Sequence, residues 1–188
     1  MDFSSFLKIS ERAALKSQKG FTLLEVLVVV LVVGLIAAIA SPGWFSFLEK
    51  SRLTAARDQV HLGIREAQSE AQARGTSWQF SLRERNRVVE WATHPKNIPS
   101  STAQWETLGA KSIRIDEETT FASAGGVYYV RFDEDGNPHR LGRVTLSGSR
   151  FSANKRCVVI STLIGAARKS KEQPAPDPNY RRRDRFCY

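Results

Sequence analysis

Residues 21–40, FTLLEVLVVVLVVGLIAAIA, decide how the rest of this sequence is interpreted. Glu25 is the single charged residue in this apolar run. About 20 apolar residues are enough for a helix to cross the hydrocarbon core of a bilayer. Arg12, Lys16 and Lys19 precede the run. Because basic residues favour the cytoplasmic side, the pattern predicts a single-pass membrane segment with a cytoplasmic amino terminus.

A plain signal anchor and an ordinary secretory signal are two interpretations of this segment. The tripeptide AIA at 38–40, followed by Ser41, fits an A-x-A cleavage site. The long charged region before the run and Glu25 within it argue against a secretory signal. A carboxylate in the hydrocarbon region costs roughly 2.5–3.5 kcal/mol on insertion scales and seldom persists without a partner or a task.

The start of the run favours a third interpretation. Residues 19–26, KGFTLLEV, resemble the type IV prepilin signature, in which a basic leader ends in Gly and Glu is the fifth residue of the mature chain. The resemblance implies that prepilin peptidase cuts between Gly20 and Phe21 and that the new amino group of Phe21 is methylated. It also implies that Glu25 pairs with the amino terminus of a neighbouring subunit in a filament. A stray charge near the membrane interface is the structural alternative for Glu25.

A second helical segment follows the apolar run. We expect Pro42 to kink or open the helix because proline lacks a backbone donor, and it matches the break that pilins have here, where it serves assembly. Apolar residues then recur at helical spacing, and Gly75 is the predicted stop. The predicted face consists of Leu53, Ala56, Val60, Ile64, Ala67 and Ala71. Trp44, Phe45 and Phe47 have two open interpretations, a membrane-interface belt or packing against neighbouring subunits.

The remaining sequence predicts β-structure. We expect strands at 78–82 and 88–91 joined by a charged turn at 83–87, a long loop at 92–112, and strands at 113–115, 127–132, 143–147 and 157–162, with a turn at 133–138. A long helix followed by strands favours an α+β fold, with the helix laid across an antiparallel sheet. The segments VRFDEDGNP and RCVVISTLIG resemble the H-type minor pseudopilins of type II secretion (GspH) and the FimT/FimU-like minor pilins. The type IV pilin fold is thereby implied.

The predicted organisation has four parts: residues 1–20 as a prepilin leader peptide, 21–41 as a transmembrane and filament-core helix, 42–75 as the amphipathic second half of that helix, and 76–188 as a periplasmic β-rich domain with a basic C-terminal loop. Outside the cytoplasm, the two cysteines Cys157 and Cys187 are expected to form one disulfide. We expect no catalytic residues, cofactor or metal. Ser152 and Lys155 fit SxxK only by chance, and the acidic turn at 133–137 lacks the full calcium-loop pattern.

The C-terminal region is strongly basic, and the whole chain has a formal net charge of +9. DNA-binding relatives are thought to use a Gly-Arg-x-Arg motif, whereas this sequence has GAAR at 165–168. The favoured interpretation of the tail is a solvated basic loop, or one that faces acidic patches on neighbouring pilins. A sequence-independent, salt-sensitive phosphate contact is the alternative. Its candidate residues are Arg168, Lys169, Arg181, Arg182, Arg183 and Arg185.

The favoured function is a structural one. The resemblance implies a minor pilin or pseudopilin that is inserted in the inner membrane, processed by prepilin peptidase, and assembled with other pilins. It would help to initiate a type IV pilus or a type II secretion pseudopilus, and the sequence leaves open which of the two. A DNA-binding subunit for natural transformation is the alternative function.

Overall fold

The structure is a computed structural model that describes residues 20–109, 111–148, 154–176 and 186–187. The predicted leader up to residue 19, Ser152 and the arginines Arg181, Arg182, Arg183 and Arg185 lie outside these ranges. Within them the chain forms one long helix followed by nine strands. All strand pairs are antiparallel, so the predicted α+β class is confirmed.

Helix α1 (Leu23–Arg74) has 52 residues. It runs through the boundary between two compact units, one that ends at Ser41 and one that begins at Pro42. Within the described residues, no single helix meets the length and hydropathy of a membrane span, whereas the consecutive pieces Leu23–Ile39 and Gly43–Arg74 meet them together. The assignment of helix is continuous at Pro42, and the kink predicted there stays a prediction.

The second half of α1 packs on the β-structure through the predicted face. Its six apolar residues, from Leu53 to Ala71, are each 0–1% exposed. Gly63 lies where a Cβ atom would be 2.7 Å from the rings of Phe80 and Trp91, so the helix approaches the strands closely at this point. The helix ends as predicted at Gly75, which has a φ of 58°. The amide of Thr76 donates to the carbonyl of Ala71, the pattern of a Schellman cap.

A five-stranded sheet with the order β3-β2-β1-β6-β5 forms the first β-layer. Its strands are β1 (Trp78–Arg85), β2 (Val88–Pro95), β3 (Glu106–Thr107), β5 (Ala122–Ala124) and β6 (Val127–Phe132). The predicted turn at 83–87 was too long, because Asn86 and Arg87 alone form it, with φ values of 52° and 62°. Two residues with positive φ match the right-handed twist of the flanking strands, so pairing continues to Arg85 and Val88.

A four-stranded sheet with the order β4-β7-β8-β9 forms the second β-layer. It consists of β4 (Ile113–Ile115), β7 (Gly142–Gly148), β8 (Lys155–Ile160) and β9 (Ala167–Lys171). The division into two sheets corrects the expectation of a single one. Side chains from both sheets and from α1 form one buried core that includes Phe80, Phe132, Leu146 and Ile160.

Three short edge strands correct the sequence prediction. The long loop predicted at 92–112 contains the end of β2 and the whole of β3, and β5 and β9 were missed. Strand β8 also begins two residues earlier and ends two residues earlier than predicted. The sequences of β5 (ASA) and β9 (ARKSK) have few residues of high β-propensity. Their pairing with β6 and β8 therefore depends on tertiary structure.

Candidate functional sites: the helix N-terminus and the C-terminal clamp

The predicted processing site lies at the very start of the helix. Gly20 and Phe21 precede α1 and are exposed. Thr22 is the N-cap residue, since its hydroxyl oxygen accepts the amide N–H of Glu25 at 3.2 Å. The T-x-x-E pattern is that of a capping box, a signal that sequence reasoning overlooked. Glu25 is thus placed in the first helical turn, where the helix dipole favours a carboxylate.

The first unit buries almost none of its apolar side chains within the chain. The large hydrophobic residues between Leu23 and Ile39 are each about half exposed or more. A contiguous apolar surface of this kind requires lipid or another protein to cover it.

Trp44 and Phe47 lie next to each other with ring centroids 6.2 Å apart, and both are exposed, as is Phe45. Exposed rings are compatible with both predicted roles of this aromatic group, a membrane-interface belt and packing against neighbouring subunits.

The predicted disulfide is present at the other end of the chain. Cys157 on β8 and Cys187 are bonded, with their Cα atoms 6.1 Å apart and a sequence separation of 30. Both cysteines are fully buried. The last described residues of the chain are therefore covalently attached to the second sheet.

A buried carboxylate, which the sequence gave no reason to select, holds the same end of the chain. The Oε2 atom of Glu118 accepts the amide N–H groups of Phe186 and Cys187 at 3.1 and 3.2 Å. Its Oε1 atom lies 2.6 Å from Nζ of Lys155, which also pairs with Asp116 at 3.1 Å. We call Glu118, Lys155, Asp116 and the disulfide the C-terminal clamp.

The ammonium of Lys155 is stabilised as a cation by this arrangement. Burial on its own would lower the pKa of Lys155, but the carboxylates of Glu118 and Asp116 outweigh that effect and raise the pKa above its ordinary value. Lys155 is the lysine of the SxxK match. A lysine held protonated between two carboxylates is poorly suited to act as a base.

Backbone pairing closes the base of the basic loop. Glu172 bridges Cys187, and the amide of Gln173 donates to the carbonyl of Phe186 at 2.7 Å. The guanidinium of Arg143 donates to the carbonyl of Cys187. The chain that leaves the sheet at Gln173 therefore returns at Phe186, next to its point of departure.

The predicted nucleic-acid contacts are described only in part. Arg168 and Lys169 lie on β9, a strand that the sequence did not predict, and successive residues of a strand point to opposite faces. Arg168 is exposed. Lys169 pairs with Asp58 of α1 at 3.4 Å. Burial would raise the pKa of Asp58, but Arg57 and Lys169 outweigh this and lower it.

The acidic turn after β6 is held by hydrogen bonds. Oδ1 of Asp133 accepts the amide N–H groups of Asp135 and Asn137 at 3.1 and 2.7 Å. Gln72 of α1 donates to the carbonyl of Asp135 at 2.8 Å. Within the described ranges no three His, Cys, Asp or Glu residues are grouped as metal ligands. The turn is therefore held by the protein's own donors and by the helix.

Comparison with known proteins agrees with these features. Residues 15–41 match the prokaryotic N-terminal methylation motif, and residues 56–163 match the family of the type II transport protein GspH. A fimbrial protein of Pseudomonas aeruginosa is 34% identical over 170 residues, which cover 88% of this chain and 95% of that protein. A type IV major alpha-pilin of Moraxella bovis is 37% identical over 49 residues, or 26% of this chain and 31% of that protein.

One solved structure is also similar. The type IV minor pilin FimU of Pseudomonas aeruginosa strain PAO1 aligns with a TM-score of 0.48 and 12% identity, over 65% of this chain and 91% of that chain.

Proposed function

Because the chain belongs to the GspH family of type IV pilin-like proteins, we propose that it is a filament subunit that prepilin peptidase cleaves and methylates and that helps to initiate assembly. Members of this family are structural subunits, which confirms the prediction that the chain is not an enzyme. The filament is a type IV pilus or a type II secretion pseudopilus. The domain from residue 76 is periplasmic in this proposal, and the helix from residue 21 is held in the inner membrane until assembly.

The observation that carries the proposal is the arrangement of residues 20–25 at the start of an exposed apolar helix. Gly20 is a small residue in an exposed segment next to the scissile bond. Cleavage would create the amino group of Phe21, one residue before the N-cap Thr22. Glu25, three residues further along, supplies a carboxylate for the amino terminus of a neighbouring subunit. This pairing would favour one register between neighbouring subunits, because either charge would be destabilising if it were left unpaired in a medium of low dielectric constant.

The experiment is the N-terminal mass and sequence of the protein recovered from the membranes of its own host. We expect a mature chain that begins with N-methylated Phe21. Gly20→Val should block cleavage, because a branched side chain occupies the scissile position. The matched control is Gly34→Val, where the space for a Cβ is open within the chain, and it should be processed normally. A chain that begins at Ser41, or one that keeps Met1 in the presence of the peptidase, would contradict the proposal.

The assembly role of Glu25 needs a separate measurement. We expect Glu25→Gln to be cleaved but to stay in the membrane fraction rather than in sheared filaments. Glu66→Gln is the matched control, because Glu66 is an exposed glutamate of the same helix. Equal incorporation of both variants into filaments would exclude the proposed pairing. Assembly of the host's filaments in a strain that lacks this chain would exclude the initiating role.

A second candidate function, a DNA contact for uptake, is favoured by the exposure of Arg168 and Lys171 on the edge strand β9. Arg181, Arg182, Arg183 and Arg185 follow in sequence and complete the proposed contact. A gel shift of the full-length chain in detergent, titrated with salt, tests this function. We expect salt-sensitive binding that is lost when Arg181, Arg182 and Arg183 are changed to Ala. Absence of binding at low salt would exclude it.

A further inference from the structure

The outer face of the five-stranded sheet contains a cleft that none of the proposed functions uses. Phe80 contacts Gly63 of α1, so its strand neighbours Gln79 and Ser81 face away from the helix. On this face His94, Gln79 and Arg131 lie side by side on β2, β1 and β6. Together with residues 98–100 they line a cleft of about 160 Å³. We call this space the Arg131 cleft.

The side chain of Arg131 is held in one orientation. Its Nε atom donates to Oε1 of Gln79 at 2.7 Å, and its guanidinium carbon lies 4.6 Å from the centroid of the Tyr129 ring. Stacking on the ring and a hydrogen bond at Nε leave the two Nη groups directed elsewhere. The half-buried guanidinium is therefore pre-organised, so that little side-chain entropy remains to be lost when it binds a ligand.

A chain of buried hydrogen bonds fixes Gln79 in turn. The carbonyl of Pro95 can only accept, so Nδ1 of His94 is the donor in their 3.0 Å contact. In a neutral His94, Nε2 then accepts from the hydroxyl of Ser81 at 3.0 Å. Ser81 in turn accepts from Nε2 of Gln79 at 2.7 Å. Because Nε2 of Gln79 donates to Ser81, the amide is oriented with its Oε1 atom toward Arg131.

The cleft has positive charge that the described part of the chain does not neutralise. Among the described residues, neither Nη group of Arg131 has a hydrogen-bond acceptor, and the ammonium of Lys96 has no ion pair. No carboxylate is among the residues that line the cleft, and Ser100 contributes a hydroxyl. A planar arginine fork beside a lysine is an arrangement that binds oxyanions.

The walls indicate which oxyanion fits best. Ile98, Pro99, Ala124 and Val127 are apolar and flank the polar floor. A glutamate side chain is complementary to this lining. Its methylene groups can contact the apolar walls, and its carboxylate can reach the cationic groups at the floor. A nucleic-acid phosphate carries a sugar on each side, and these bulky groups would have to enter the same narrow space.

We propose that the Arg131 cleft binds a carboxylate side chain from an acidic segment of a partner protein, with Arg131 as the bidentate donor and Lys96 as a second cation. The site is separate from the helix N-terminus and from the basic tail. It does not depend on the filament proposal, because carboxylate binding can be measured on the subunit alone. The DNA contact considered above involves other residues.

The test uses the full-length chain in neutral detergent micelles and a fluorescein-labelled hexaglutamate peptide, with binding followed by fluorescence anisotropy. Arg131→Lys keeps the charge but removes the fork, whereas Arg140→Gln removes a nearby exposed charge and keeps the fork. We expect Arg131→Lys to weaken binding about tenfold and Arg140→Gln to change it by less than about twofold. If the peptide were held only by the net positive charge of the surface, Arg140→Gln would weaken binding more than Arg131→Lys. That result would show that the proposal is wrong.

A second variant guards against misfolding of the first. Ala124→Trp fills the cleft from an exposed position on β5 and leaves Arg131 in place, so it should abolish peptide binding. Unchanged binding by this variant, or the absence of peptide binding by the unmodified chain, would overturn the proposal. A parallel titration with a double-stranded oligonucleotide distinguishes a protein carboxylate from a nucleic-acid phosphate as the ligand. Binding of DNA in an Arg131-dependent manner without binding of the peptide would identify a phosphate site and overturn the carboxylate assignment.

Discussion

The carboxylate of Glu118 accepts the backbone N–H of Cys187, 69 residues further along the chain, at 3.2 Å. Glu118 lies between β4 and β5 in the chain, whereas Cys187 is nearly the last residue. The disulfide to Cys157 therefore does not hold the chain end alone. The carboxylate of Glu118 holds the backbone of Phe186 and Cys187, and the disulfide holds Cys187, so both keep the basic loop closed at its base.

Glu118→Gln should destabilise the domain by about 2–4 kcal/mol, because it removes one charge from a buried ion pair and leaves Lys155 with Asp116 alone. Urea unfolding measures the change. Glu117→Gln is the matched control, since the neighbouring Glu117 is exposed. A loss of stability that is equal in the two variants would contradict the clamp.

Removal of the disulfide by the double substitution Cys157→Ser and Cys187→Ser should cost about 3–4 kcal/mol, on the chain-entropy account of a 30-residue separation. Unfolding of the unmodified chain with and without a reductant provides an independent measurement of the same quantity. If reduction leaves the free energy of unfolding unchanged, the disulfide contributes no stability beyond that of Glu118.

The ion pairs of Lys155 should contribute stability that alkaline pH removes. The folded-state pKa of Lys155 is raised above its ordinary value of 10.5. This contribution is therefore fully present below that value and is lost as pH rises through the folded-state pKa. The difference in unfolding free energy between the unmodified chain and Lys155→Met should narrow across that window. Lys111→Met, at an exposed lysine, should show no such narrowing.

Gly63→Ala should destabilise the packing of helix on sheet by about 1–3 kcal/mol, since the added methyl group meets two aromatic rings at 2.7 Å. Thermal unfolding measures the effect. At Gly43 of the same helix a Cβ meets nothing within 4 Å. Gly43→Ala should therefore be neutral or stabilising, by up to about 1 kcal/mol. Similar behaviour of the two variants would mean that the approach at Gly63 is less close than described.

Much of the helix was predictable because its signals are local. The spacing of Leu53, Val60 and Ile64 identified the buried face, and Gly75 identified the end. The prepilin-like residues Gly20, Phe21 and Glu25 lie within six consecutive positions and could be read directly from the sequence. Strand β6 (Val127–Phe132) was likewise predicted correctly, because its six residues are rich in β-branched and aromatic side chains.

The edge strands and the two polar sites were not predictable in this way. Strands β5 and β9 exist because β6 and β8 offer them backbone hydrogen bonds. Glu118 had no distinguishing context in the sequence, since its partners lie 37 and 69 residues away. Arg131 and Gln79 are 52 residues apart and meet only through the register of β1 and β6.

The sequence by itself determined the class of the protein, the N-terminal methylation motif, the buried face of the helix and the pair of cysteines available for bonding. Each of these depends on residue types at short, fixed spacing, which the chain keeps whatever its fold. Tertiary structure alone decided the second sheet, the C-terminal clamp and the Arg131 cleft. Whether a polar side chain is buried, paired or left with unused donors depends on which distant strands cover it, and that is fixed only when the sheets form.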